Sequence, residues 1–109
     1  MVNIGDYIAD SVPANMFRRL DGKLQAFDDA ECLAHSDHES FFRLNTNWGW
    51  GVRWYALHRV DGRFVFTIGH GMWVCRREVA PDVVPELLSR FFSRNEVTTE
   101  GKSLLEGVR

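Results

Sequence analysis

The sequence predicts an α+β domain: an antiparallel sheet of three to five strands, with two to three helices packed mainly on one face. Three observations predict it. Asp61-Gly62 stands between two alternating apolar runs, 53–60 and 63–68, and Asp-Gly is the pair that accepts the positive φ angles of a tight hairpin turn. Val84, Leu87, Leu88 and Phe91 recur at helical spacing within 82–94. The 109 residues, 45% hydrophobic and 26% charged, suffice for one core without a staple and leave no room for a second. Residues 1–109 therefore read as a single compact domain, with 97–109 as a loosely docked tail anchored by Leu104 and Leu105.

The hairpin is the firmest element. A two-residue loop sets Val60 opposite Arg63, Arg59 opposite Phe64, Leu57 opposite Phe66 and Tyr55 opposite Ile68. One face then carries Tyr55, Leu57, Phe64, Phe66 and Ile68, a core face. The other carries Trp54, Ala56, His58, Val65 and Thr67, which suits packing under a helix, a partner, or a second copy of the chain. Gly69 and Gly71 flank His70 and suggest a bend or bulge before a strand over 72–75.

A second Asp-Gly pair, Asp21-Gly22, has similar surroundings: Arg19-Leu-Asp-Gly-Lys-Leu against Arg59-Val-Asp-Gly-Arg-Phe. Two readings stay open there. One is a second hairpin with strands over 16–20 and 23–27. The other is a helix over 13–20, since Pro13, Met16, Phe17 and Leu20 follow helical spacing and Gly22 can stop it. Further on, Asp28 and Glu31 resemble a capping box and predict a helix over 28–37. A strand follows through Phe41, Phe42 and Leu44. In the helix over 82–94, Pro85 is tolerated in the first turn and Glu86 faces Arg90 one turn on.

Charge is unevenly spread. Residues 1–42 hold eight acids against three bases, residues 43–77 six arginines against one aspartate, and residues 78–109 six acids against four bases. A net charge of -2 excludes a globally basic nucleic-acid binder and leaves room for a basic centre. Residues 1–10 carry no Lys or Arg, so no secretory leader is expected. The apolar run 64–68 is too short to span a bilayer, and no membrane partner is expected. With two cysteines and no Asn-x-Ser/Thr site, a reducing cytoplasm is the expected location.

Several chemistries fail on spacing. Cys32, His35 and His38 lack the paired spacing of a zinc site, so no metal and no cofactor is expected, with Cys32 assigned to the core. Ser36-Asp37-His38 contains triad residue types, but adjacent residues cannot form the hydrogen-bond chain a triad needs. Gly101-Lys102-Ser103 lacks the earlier glycine of a phosphate loop, since Glu96 stands there. The acids Asp28, Asp29, Glu31, Asp37 and Glu39 read as a solvated helix face.

What remains is the tryptophan-rich centre. Trp48 and Trp50 stand between glycines and asparagines, among Arg43, Arg53, Arg59, Arg63, Arg76 and Arg77. The plainer reading folds the rings back over the sheet and leaves the arginines solvated. The sharper one is a non-enzymatic protein-binding domain: an inhibitor, immunity or phage-encoded antagonist protein, binding through Trp48, Trp50, Arg53, Arg76 and Arg77. Single-stranded nucleic acid is the alternative ligand, since it wants charge for its backbone and flat rings for its bases. A small enzyme using His70 and Cys75, or His58, is the third expectation.

Overall fold

Among the described residues, seven strands form one sheet, with two α-helices against it: a mixed α+β fold. The structure is a computed structural model that describes residues 11–36, 40–43, 50–70 and 73–107, with side chains for 11–36, 54–69 and 74–105. The strands are β1 (Met16–Arg18), β2 (Leu24–Ala26), β3 (Glu31–His35), β4 (Ser40–Arg43), β5 (Trp50–Val60), β6 (Arg63–His70) and β7 (Trp73–Val79). Six run in the order β2-β1-β7-β6-β5-β3, and β4 pairs with β5 beyond the end of β3. The helices are α1 (Val84–Phe91), entered through a 3-10 turn at Pro81–Val83, and α2 (Thr99–Gly107), preceded by a 3-10 turn at Arg94–Glu96.

The β5–β6 register matches the expectation pair by pair, from Val60↔Arg63 to Tyr55↔Ile68. Asp61 and Gly62 both have positive φ, 50° and 74°, as a type I′ turn requires. The predicted core face is the core. Leu57, Phe66 and Ile68 are fully buried with Val84, Leu87 and Leu88 of α1, and Tyr55 and Phe64 pack against them. Phe91 lies 5.1 Å from both the Tyr55 and Phe66 rings. Val97, Leu104 and Leu105 bring the tail onto the same cluster. Thr98 docks that tail on β3, donating its N–H (2.9 Å) and its hydroxyl (3.0 Å) to the Leu33 carbonyl.

The structure corrects several expectations. The sheet has seven strands rather than three to five, and it is not wholly antiparallel, because β1 runs parallel to β7 at Arg18↔Arg77. The strands over 16–18 and 24–26 are those of the second-hairpin alternative, and Glu31–His35 adds another where a helix was expected. Of the helix expected over 28–37, residues 28–36 form none, and Asp37 lies outside the described residues. Asp29 takes a φ of 51°, which stops a helix at its first turn and which Asp tolerates. Glu31–His35 then pairs with β5, and a register shift between Cys32 and Ala34 turns both Leu33 and Ala34 into the core. Cys32 is exposed rather than buried.

At 13–20 the hairpin reading holds, with strands of three residues each. The helix expected over 82–94 is confined to Val84–Phe91, because Phe92 is extended (φ -131°). Gly69 forms no bulge. It stays in β6, directly opposite Trp54, and a Cβ there would overlap the Trp54 indole. Gly71 and Met72 lie outside the described residues.

The second sheet face is partly covered from within the chain. Phe17, Val60 and Val65 form a smaller core with Phe27 and Ala30 against it, and Ala56, Val65 and Thr67 have no exposure. The face offered for self-association is thus mostly occupied in its middle.

Candidate functional site

The central strand carries the site. β5 is 11 residues long, about 36 Å at strand rise, so it overhangs β3 and supports β4 on the same edge. In its first half the register sets Arg43 opposite Trp50 and Ser40 opposite Arg53. Arg53 in turn pairs with His70, and His70 with Trp73. One rung therefore runs Ser40, Arg53, His70, Trp73 across four strands, with the Arg43–Trp50 pair three positions away along β5. This is the end of the sheet opposite the Asp61-Gly62 turn. Trp48 lies outside the described residues, in the segment between β4 and β5.

The other two expected residues are not brought together with these as one face. Arg76 and Arg77 are consecutive on β7 and point to opposite sides of the sheet: Arg76 is paired with Thr67 and Arg77 with Phe66. Arg76 is half-buried and serves the fold. Its guanidinium lies 4.2 Å from the Phe27 ring centroid and donates to the Ala14 carbonyl, and burial pulls its pKa below the usual arginine value. It holds the β1–β2 hairpin against the sheet. Arg77 has Arg18 as its neighbour across the parallel pair.

The arginines of the central third are partly consumed by acids from the outer thirds. Arg59 donates from Nε to Glu31 at 2.8 Å. Arg63 pairs with Glu78 at 3.1 Å, and Glu78 also accepts the Leu20 N–H at 3.0 Å. Charges segregated along the chain are thus interleaved in space, and Glu31 acts as a strand partner rather than as part of a solvated helix face.

Between the hairpin-covered region and the Arg53 rung lies a cluster that sequence reasoning did not single out. Trp54 stacks on His35 (5.6 Å between centroids, 16° between planes) and covers Gly69. His58, on the same face, meets the Phe27 ring edge-on at 5.0 Å. Burial first, then the positive charges of Arg76 and His35, push its pKa down to about 4, so it is neutral near pH 7. Its Nδ1 and the Thr67 hydroxyl are buried without hydrogen-bond partners among the described residues. The available signal was the predicted register itself, which sets a glycine across from a tryptophan, an arrangement in which the ring replaces the missing side chain.

The described residues place part of each catalytic and metal-binding arrangement weighed from the sequence. Ser36 is buried, and its hydroxyl accepts the Tyr55 N–H at 3.0 Å, which ties β3 to β5. Asp37 and His38 lie outside the described residues. No group of three His, Cys, Asp or Glu side chains converges among the described residues. Cys32 is exposed as a residue, but desolvation of its thiol by the neighbouring chain raises its pKa, which disfavours the reactive thiolate. Cys75 is 3% exposed in the main core, diagonal to His70 in the β6–β7 register. No helix among the described residues is long and apolar enough to cross a membrane. Comparison with known proteins adds no analogue: no family model, no curated protein and no solved structure matches this chain.

Proposed function

We propose that this chain is a small, non-enzymatic protein-binding domain that acts on a larger cytoplasmic protein, as an inhibitor, immunity or phage-encoded antagonist protein does. Its contact surface is the end of the sheet bearing Trp50, Arg53, His70 and Trp73, together with Trp48 in the adjoining segment. The observation that carries this reading is the rung Arg53–His70–Trp73, with Arg43–Trp50 on the neighbouring edge pair. Tryptophan and arginine dominate binding hot spots because they combine large rigid area with forked, stackable charge. Arg76 leaves the contact set for a structural role.

Single-stranded nucleic acid suits the same rung and is the rival reading. The in-chain engagement of Arg59, Arg63 and Arg76 weighs against it, since it removes half of the six central arginines from any phosphate track. The test is capture from lysate by the whole chain, with and without nuclease, by the parent and by Trp50→Ala and Arg53→Ala. A stoichiometric protein that survives nuclease and is lost in both variants, while their thermal unfolding matches the parent, supports the proposal. Nucleic acid whose affinity falls steeply with salt moves the assignment to the rival. Capture unchanged in both variants removes this end of the sheet from the interface.

A further inference from the structure

The helical layer holds a groove of about 320 Å³ between α1 and α2, remote in kind from the tryptophan-bearing sheet end. Its floor is Leu88, Phe92 and Val97, all buried, with Leu105 partly buried beside them. Its rim carries Arg94 and Lys102. Neither cation forms an ion pair with a described residue.

Two acids on these elements, Glu96 and Glu86, are already engaged. Glu96 accepts the Ser93 N–H at 2.8 Å, closing a capping box around the 3-10 turn that presents Arg94. Glu86 faces Arg90 at 3.9 Å. The Ser89 hydroxyl turns back to the Pro85 carbonyl at 3.0 Å. On the other wall, the Thr98 hydroxyl accepts the Gly101 N–H at 3.1 Å and fixes the first turn of α2, from which Lys102 projects. The groove is therefore built from held elements, with an apolar floor and two cations that have no ion pair among the described residues.

An apolar floor desolvates an apolar body, and cations free of ion pairs to described residues can make charge-assisted hydrogen bonds to an anionic head. The volume lies at the small end of the range for ligand sites, roughly 300–1,000 Å³, which favours a small molecule over a partner helix. We propose that this groove binds a small amphipathic carboxylate, its short chain or ring on the Leu88, Phe92 and Val97 floor and its carboxylate at Arg94 and Lys102.

The test is an amide-shift titration of the whole chain with octanoate, using octanol and octylamine as controls of equal chain length. The expected result is saturable octanoate-induced shifts at Leu88, Phe92, Val97 and Lys102, with no comparable binding of octylamine. Arg94→Ala and Lys102→Ala each weaken octanoate binding about three- to tenfold, and the double reversal Arg94→Glu with Lys102→Glu abolishes it. Unchanged thermal unfolding of these surface variants shows that the fold is intact. Octanol binding as tightly as octanoate, charge variants binding like the parent, or no saturable shift at these amides would each overturn the proposal.

Discussion

Two hairpins in this molecule share almost the same tip sequence and fold differently. In Arg59-Val-Asp-Gly-Arg-Phe, both Asp61 and Gly62 adopt positive φ and join strands of 11 and 8 residues. In Arg19-Leu-Asp-Gly-Lys-Leu, only Gly22 does (φ 87°). The Gly22 N–H bonds the Arg19 carbonyl at 3.0 Å, the Arg19 N–H bonds the Lys23 carbonyl at 2.8 Å, and strands of three residues flank a longer loop. The residues around the tips meet opposite fates: Val60 is 2% exposed, whereas Leu20 is 64% exposed. The turn dipeptide permits a hairpin, and the length of buried strand behind it selects the loop. Long strands buried on both faces enforce the two-residue register, because a slip of one residue would turn Leu57 and Phe66 out of the core.

The largest test of this comparison is truncation of one apolar side chain in each hairpin. Phe66→Ala should destabilise by about 3–5 kcal/mol, while Leu24→Ala, on a largely exposed strand, should stay within about 0.5 kcal/mol. Urea unfolding measures both. Similar losses would mean that the short hairpin contributes as much to the core as the long one.

His58 joins the two hairpins through Phe27 and gives the next effect. Its pKa is lowered to about 4 in the folded chain from an ordinary value of 6.5. Above pH 6.5 both states hold it neutral and it contributes no pH dependence. As pH falls from 6.5 to 4 the unfolded chain takes up the proton first, so stability declines across that window. The decline should be roughly 1–2 kcal/mol, below the full value of the shift because the ring retains contact with solvent. His58→Phe should flatten this part of the stability–pH curve, and an unaltered slope would place the titration elsewhere.

Smaller again is Gly62→Ala, which forces a side chain into the left-handed region and should cost about 1 kcal/mol by urea unfolding. No atom lies within 4 Å of the added methyl, so strain alone is read. The smallest effect belongs to Asp21. The Lys23 N–H, at 3.0 Å, and Arg19 hold its carboxyl below the usual carboxylate range. Its contribution is present above pH 3.8 and lost as pH falls below that value. It is fully exposed, so loss of the Asp21 contact should appear in Arg19 and Lys23 amide shifts before it appears in the melting temperature.

Legibility followed the length of the periodic signal. The β5–β6 register, the core face from Tyr55 to Ile68 and the Val84–Leu88 stripe were all readable, because several side chains in each repeat one geometric rule. The segment 28–37 was misread because Asp28 and Glu31 satisfy a helix-start pattern that the positive φ of Asp29 cancels. For the candidate site, the aromatic and basic residue types could be read, but their grouping could not. Arg76 and Arg77 look like a pair in the chain and are separated by the sheet. Arg53 is far in the chain from His70 and Trp73, and the sheet makes one rung of the three.

By itself the sequence determined the alternation that makes one hairpin, the apolar stripe of α1 and a charge distribution with a basic centre. These depend on neighbours two to four residues away, where local geometry leaves few choices. Tertiary structure alone decided that Glu31 and Glu78 would compensate Arg59 and Arg63, that Arg76 would hold Phe27, and that Arg94 and Lys102 would share a groove. Such pairings depend on which strands and helices become neighbours, and that order is set by burying several apolar faces at once, a condition no local stretch of the chain contains.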